Sequence, residues 1–538
     1  MRVLAAILLV STPLLAQGGP PGGGRGGARP GSAAGAPAAP GTGAPTTGAP
    51  VARADTGMAR PTAAAKARPD DEAPAITHHT LRGAGEFRYT ATAAMMPVRN
   101  EVSGETEGNI FYVAYTKDGA DPATRPIAFI FNGGPGSATV WLHMGAFGPK
   151  VVKLNPDGTN PPPPARYVDN PNTLLDQADL VFLDPVGTGY SRATSTANGP
   201  KFWGLDEDMR AVAEFIRLYL TRNERWSSPK FIAGESYGTT RAAHLSGYLT
   251  DNGIALNGVV LLSAVLNFDN SRPSRGNDVA YVGFLPSFAM TAYYHKKVAA
   301  ELQKLPVDEF ARSAEQFASG EYAAALMKGE SLAGADRQAM VAKIARYTGM
   351  TEQLVSDADL RIELGRFSTE LLRDQRRMSG RLDSRLTAYM QDPLSGRTNF
   401  DPSDASIRNS FTPVLNDYVR RELGYKNDNL YYILGGGIGR WRYDEGQFPN
   451  VVPSLERAFA KNPDMHLYVA MGYYDMATPY WAVQYTLDHM SLEAGVRRTH
   501  VHTAHFFAGH MMYIDAASMK RLRADLRTFI DEAVPRER

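Results

Sequence analysis

Cysteine is absent from all 538 residues. Its absence excludes disulfides, a thiol nucleophile, cysteine-ligated metals and an acylated cysteine anchor. Excess charge is absent as well. A formal net charge of +1 argues against nucleic-acid binding, which needs a basic face to neutralise phosphates. Past the amino terminus no stretch approaches the ~18 uninterrupted apolar residues of a membrane span. Between residues 17 and 75 there is no aromatic residue, no leucine and no isoleucine. That stretch, mostly Gly, Ala, Pro, Thr and Arg, cannot bury enough apolar surface to offset its ordering entropy and reads as a disordered linker.

What is present begins with an export signal at 1–16. Arg2 supplies the positive start, residues 3–15 an apolar run too short to cross a bilayer comfortably, and Ala16 a small residue for cleavage. The expectation is an exported chain, periplasmic or extracellular. Export without disulfides requires a core that needs no staples, and 43% hydrophobic residues over this length can supply one.

Beyond the linker, "EFRYTATAAMMPV" and "NIFYVAYT" alternate and are rich in β-branched and aromatic residues, as in an antiparallel pair at a sheet edge. Continuous apolar runs follow, of the kind found in buried parallel strands: "PIAFIF", "ADLVFLD", "KFIAG" and "GVVLLSAV". Helical periodicity lies between them, as in "DEDMRAVAEFIRLYLTR" (206–222). Strands alternating with helices imply an α/β fold, a mostly parallel sheet covered on both faces. From 269 to 453 the chain turns helical and charged. Strand character returns in "MHLYVAMG" (465–472) and "RRTHVHTA" (497–504), and a helix closes the chain. The expected division is a core at 76–268 and 454–538, interrupted by a helical insertion at 269–453. Insertions at this edge of a sheet commonly cover active sites. The glycine run "LGGGIG" (434–439) lacks the Lys-Ser/Thr of a phosphate loop and reads as a turn or a close backbone approach.

The most pointed stretch is "KFIAGESYGTT" (230–240), a strand running into Gly-Glu-Ser-Tyr-Gly. A plain strand-to-helix turn does not need two glycines around a serine, whereas a nucleophile on a strained elbow does. Ser236 is therefore the candidate nucleophile. In such folds the acid and base follow in the order Ser, Asp/Glu, His. "HLYVAMG" ends at "YYDMATP", which places Asp475 just beyond a strand. "HTAHFFAGHMMY" offers His502, His505 and His510. The base belongs on a loop beyond the strand, so His510 fits best, with His505 as the alternative and His502 inside the strand. The base takes the serine proton and then protonates the leaving group, while Asp475 fixes the imidazole tautomer. The oxyanion hole needs the N–H of Tyr237 and one from an earlier loop. "FNGGPGS" (131–137) follows a strand and has enough glycine to approach a substrate.

These segments resemble the serine carboxypeptidase family, which has the α/β-hydrolase fold. "NGGPGS", "FGP" (147–149), "LDPVGTGYS" (183–191), "GESYG" and "AGHMMYID" carry the likeness in order and spacing. The resemblance implies a triad of Ser236, Asp475 and His510, with Gly134 and Tyr237 donating to the oxyanion. It implies that Asn132, the Gly133 N–H and Glu235 hold the free C-terminal carboxylate of a peptide. Four positions depart from the family pattern. Ser137 stands where the family usually has cysteine, Ala146 where it has a glutamate in the carboxylate-binding network, and Gly238-Thr239 where Ala-Gly is common. The implied activity is an exported carboxypeptidase acting on peptides with a free C-terminus. An esterase or acyltransferase on the same scaffold is the alternative that Ala146 suggests, and an idle binding protein is a third. No metal or organic cofactor is expected, because the histidines do not cluster at ligand spacing and acyl-enzyme chemistry needs none.

Overall fold

The structure is a computed structural model and describes residues 73–82, 86–100, 102–394, 400–443 and 447–534. The expected export signal at 1–16 and all but the last residues of the expected linker at 17–75 lie outside the described residues. Among the described residues the main sheet is built from β1 Ala75–Leu81, β2 Phe87–Arg99, β3 Thr106–Lys117, β4 Ile127–Phe131, β5 Asp179–Leu183, β6 Lys230–Glu235, β7 Gly258–Leu262, β8 His466–Gly472 and β9 Val501–Phe506. A two-residue strand, Arg192–Ala193, pairs with β3 at its side. The spatial order is β1-β2-β3-β5-β4-β6-β7-β8-β9. β1 to β3 are antiparallel and β3 meets β5 antiparallel; from β5 onward every pairing is parallel.

Sequence and position agree strand by strand. β4, β5 and β7 are buried at every residue, so their sequences are unbroken apolar runs, as strands covered on both faces require. β1 alternates half-buried and exposed positions because one edge strand needs only one apolar face.

The helices that build or frame the site are α1 Leu205–Arg222, α2 Tyr237–Asp251, α3 Asp278–Tyr294, α4 Pro402–Arg421, α5 Val452–Lys461, α6 Ala494–His500 and α7 Ala516–Ala533. One face of the sheet packs against α4 and α7, through Phe411, Val414, Leu522, Leu526 and Phe529. The other packs against α1, α2 and α5, through Val212, Phe215, Leu245, Leu249 and Leu455. In β6, Phe231 and Ala233 point to the first face and Ile232 to the second, the period of two inherent to a strand. This three-layer arrangement is the α/β-hydrolase fold. No helix among the described residues is long and apolar enough to cross a membrane.

Two local readings differ from the structure. The run "RRTHVHTA" is not one strand: residues 494–500 form α6 and only Val501 onward joins the sheet. The Glu493 side chain accepts the N–H groups of Gly495 and Val496, and that cap commits the arginines to a helical turn. β1, which no alternation signal marked, pairs with β2 along its whole length. The stretch 269–453 is mainly helical and has its own core around Phe288, Phe310, Phe317, Tyr347 and Phe367. It is not merely laid on the sheet, because α4 within it contributes Phe411, Val414 and Tyr418 to the sheet's own core.

From β4 the chain crosses to β5 on one side, and from β6 to β7 on the other. β4 and β6 are neighbours, so the loops leaving their carboxyl ends open between diverging connections. Open α/β sheets bind ligands in that crevice.

Candidate active site

β6 ends at Glu235 and α2 begins at Tyr237, so Ser236 alone makes the turn. Its backbone stands at φ +60°, ψ −130°, a region that costs a non-glycine residue on the order of 1–3 kcal/mol. The turn is held from three directions. The Ser236 N–H donates to the Leu262 carbonyl at 3.0 Å, and its carbonyl accepts the Thr239 N–H at 2.8 Å and the Thr239 hydroxyl at 2.6 Å. A Cβ on Gly234 would lie 2.1 Å from the Gly238 carbonyl oxygen, which is why this turn tolerates only glycine there. Ser236 remains partly exposed between buried neighbours. Tyr237 is the first residue of α2, where an N–H has no intrahelical acceptor.

The loop after β4 lies directly on this elbow. A Cβ on Gly133 would fall 2.3 Å from the Tyr237 nitrogen, so the backbones of the two loops touch. The Asn132 side-chain oxygen accepts the Leu142 N–H at 3.1 Å, which fixes the loop from one side. From the other, Arg241 on the first turns of α2 donates to the Asn132 carbonyl at 2.6 Å and to Asp208 on α1 at 2.6 Å. Both members of this ion pair are nearly inaccessible, at 1% and 4% exposure. Removing one member of a buried pair leaves the other charge uncompensated. Arg241→Met should therefore lower the unfolding free energy by roughly 3–5 kcal/mol in urea titrations; a loss below about 1 kcal/mol, the range of exposed pairs, would show that the pair is dispensable.

The structure brings Asp475 and His510 together. Asp475 is fully buried just beyond β8, and its Oδ2 lies 2.7 Å from His510 Nδ1. Its other oxygen accepts the N–H groups of Ala477 and Thr478 at 2.8 and 3.0 Å, and the Thr478 hydroxyl donates to Oδ2 at 2.6 Å. The carboxylate is thus saturated and cannot rotate away from the imidazole. Burial pulls the His510 pKa down, but the charge and hydrogen bond of Asp475 and the charge of Glu235 outweigh it, leaving the pKa above the usual histidine value. Ser263, directly after β7, donates its hydroxyl to the His510 carbonyl at 2.7 Å. Its neighbour Leu262 holds the Ser236 N–H, so the Ser236 and His510 loops share one support.

His505 and His502 are inside β9. His505 stacks on Tyr473 with ring centres 5.5 Å apart, and its Nε2 has no hydrogen-bond partner among the described residues. Burial and nearby Arg521 push its pKa down to about 4. It is a packed neutral ring rather than a base near Asp475.

Glu235 is buried at 3% exposure. Burial pushes its pKa up to about 7, further raised by Asp475 and opposed by His510 and by hydrogen bonds from Tyr513 and Asn132. The Tyr513 hydroxyl donates to Glu235 Oε2 at 2.5 Å. Its ring crosses the backbone of Gly145, where an added Cβ would lie 2.8 Å from Tyr513 Cε2, and Gly145 adjoins the buried Ala146. Sequence reasoning gave Tyr513 no role, although it lies in the "AGHMMYID" segment. Thr478 was equally missed; a hydroxyl residue three places after a buried acid was the available signal.

Two segments of the insertion complete the surroundings. Residues 432–435 hydrogen-bond to Gly189 on one side and to 136–138 on the other, including Gly435 N–H to the Gly136 carbonyl at 2.8 Å. "LGGGIG" is thus a close backbone approach bridging two loops. Residues 381–384 clasp the Asp475 and His510 loops together. The Arg381 carbonyl accepts the Met476 N–H, the Leu382 carbonyl accepts the His510 N–H at 2.6 Å, and the Ser384 N–H donates to the Tyr474 carbonyl.

A sequence model described as serine carboxypeptidase matches residues 100–517. "Serine carboxypeptidase-like 16" of Arabidopsis thaliana is 30% identical over 187 residues, covering 32% of this chain and 41% of that protein. A vacuolar serine-type carboxypeptidase of Saccharomyces cerevisiae is 27% identical over 129 residues, 24% of this chain and 23% of that one. The chain therefore matches less than half the length of these curated relatives. Among solved structures, the proline iminopeptidase of Mycobacterium smegmatis aligns over 82% of this chain and 98% of its own, with 13% identity and a TM-score of 0.34.

Proposed function

The chain belongs to the serine carboxypeptidase family, and from that premise we propose that it is an exported carboxypeptidase releasing C-terminal residues through an acyl-enzyme. His510 takes the Ser236 proton as Oγ attacks the scissile carbonyl, and the Gly134 and Tyr237 N–H groups receive the developing oxyanion. His510 then protonates the departing amine, and water repeats the sequence on the acyl-serine while Asp475 steadies the imidazolium. Asn132, the Gly133 N–H and Glu235 hold the substrate's terminal carboxylate.

The observation that carries this reading is a buried carboxyl group, Glu235, adjoining the nucleophile with a pKa near 7. A carboxyl group that holds its proton near neutrality can donate to a carboxylate; an ionised one repels it. Tyr513 supplies a hydroxyl to Glu235 beside Ala146, where the family's second carboxyl group is missing.

The pH dependence follows. Binding of a free C-terminus needs protonated Glu235, so the KM should rise roughly tenfold per pH unit above the Glu235 pKa. Turnover needs neutral His510, so kcat should fall as pH drops through a pKa raised above the ordinary histidine value. Matched blocked dipeptides with free, amidated and esterified C-termini test this. The acidic preference in KM should appear only with the free acid. Glu235→Gln has permanent N–H donors and should flatten that rise while retaining peptide binding. Equal pH dependence for free and amidated substrates in the parent enzyme would transfer the lead to an esterase or acyltransferase, the reading that Ala146 favours.

A further inference from the structure

At the opposite end of β8 and β9 from Asp475 and His510, the fold assembles a second group of polar side chains. His466 opens β8 and His502 is the second residue of β9. Parallel pairing sets Leu467 beside Val501 and Tyr468 beside His502, which brings these two imidazoles to the same end of the sheet. Glu532, in the last turn of α7, reaches them from the covering helix. One ligand atom from each of the three lies within 4.8 Å of the others. Along the sequence the three are far apart and show no ligand spacing; only the fold brings them together.

The distances separate two explanations. His466 Nδ1 and His502 Nε2 are 3.4 Å apart, and His502 Nε2 and Glu532 Oε2 are 3.7 Å apart. Both exceed the ~2.7–3.2 Å of a good hydrogen bond. A tetrahedral zinc ion with ligands at about 2.0–2.1 Å has ligand–ligand edges of roughly 3.3–3.4 Å; the imidazole pair matches that edge, and the Glu532 oxygen, on an exposed helix end, has to move in by a few tenths of an ångström or more to complete it. His500, at the end of α6, packs its ring against His466 with centres 4.2 Å apart, and its Nδ1 is taken up by the Thr499 hydroxyl at 2.7 Å, so the fourth position is left to water. Phe529 packs edge-on against both rings and limits their movement.

We infer that His466, His502 and Glu532 form a structural site for a divalent transition-metal ion, with Zn²⁺ as its occupant. Two imidazoles and one carboxylate suit zinc and disfavour Mg²⁺ and Ca²⁺, which prefer all-oxygen shells. β8 separates the site from the acid loop by roughly 20 Å, six steps of about 3.3 Å, so the ion takes no part in hydrolysis. It cross-links α7 to the two strands whose far ends carry Asp475 and His510. Metal bound to the folded state alone stabilises it by mass action.

The test uses the full chain, stripped with a chelator and titrated calorimetrically with Zn²⁺ and, separately, Mg²⁺. A single equivalent of Zn²⁺ should bind and raise the melting temperature, with no response to Mg²⁺ and no change in dipeptide hydrolysis. His502→Gln should weaken Zn²⁺ binding by more than about 100-fold, since even outer partners of metal ligands contribute up to that factor. Glu532→Gln, on an exposed helix position, should weaken it clearly while leaving the fold and activity intact. Co²⁺ should give a tetrahedral visible absorption band in the parent that both variants lose. Absence of saturable Zn²⁺ binding, or equal affinity in the parent and both folded variants, overturns the proposal. So does Zn²⁺ binding that inhibits hydrolysis in proportion to occupancy, because the ion would then be at the active site.

Discussion

Replacing Ser236 with alanine should leave a folded protein whose kcat on a blocked dipeptide has fallen by roughly a millionfold, the scale for loss of a covalent nucleophile. Folding should survive because alanine at φ +60° is no worse placed than serine, and the three hydrogen bonds that fix this turn all use the Ser236 backbone. A fluorophosphonate probe separates this from general damage. The parent should be labelled once, at Ser236, and the variant not at all, with matching circular dichroism and melting curves. Labelling at another serine, or activity surviving in a pure preparation, would move the nucleophile elsewhere.

The second large effect distinguishes two histidines five residues apart. His510→Ala should lose nearly as much turnover as Ser236→Ala, and the double variant should lose little more, because members of one catalytic unit are not additive. His505→Ala removes a ring stacked between aromatic neighbours. It should cost about 1–3 kcal/mol of stability and change kcat less than about tenfold, within the modest effects of a residue outside the reacting set. Kinetics and urea denaturation on both variants decide the matter. Equal kinetic losses in two equally folded proteins would leave His510 without special status.

The ease of reading the sequence tracked how local the cause of each feature was. β4, β5 and β7 were legible because burial on both faces forces continuous apolar runs. The elbow was legible because the serine stands at positive φ and a Cβ on Gly234 would fall 2.1 Å from the Gly238 carbonyl oxygen, so the turn requires glycine there. The run at 497–504 misled because Thr499, Val501 and Thr503 alternate as in a strand, while one carboxylate cap at Glu493 decides the first half. Tyr513 escaped because its partner, Glu235, is 278 residues away. The His466–His502–Glu532 group exists only through the register of a parallel pair and the helix above it, none of which composition records.

The clasp at 381–384 bears on how this enzyme's specificity could change. The insertion that walls the crevice also supplies the Leu382 carbonyl and the backbone partners of Met476 and Tyr474. It is therefore not an interchangeable cassette. A chimera that exchanged 269–453 wholesale for a relative's stretch would gain a new binding wall and lose the brace on its own Asp475 and His510 loops. Variation of substrate preference should be confined to grafts that keep residues 381–384 and the α4 face, with the remaining helices as the freely exchangeable part.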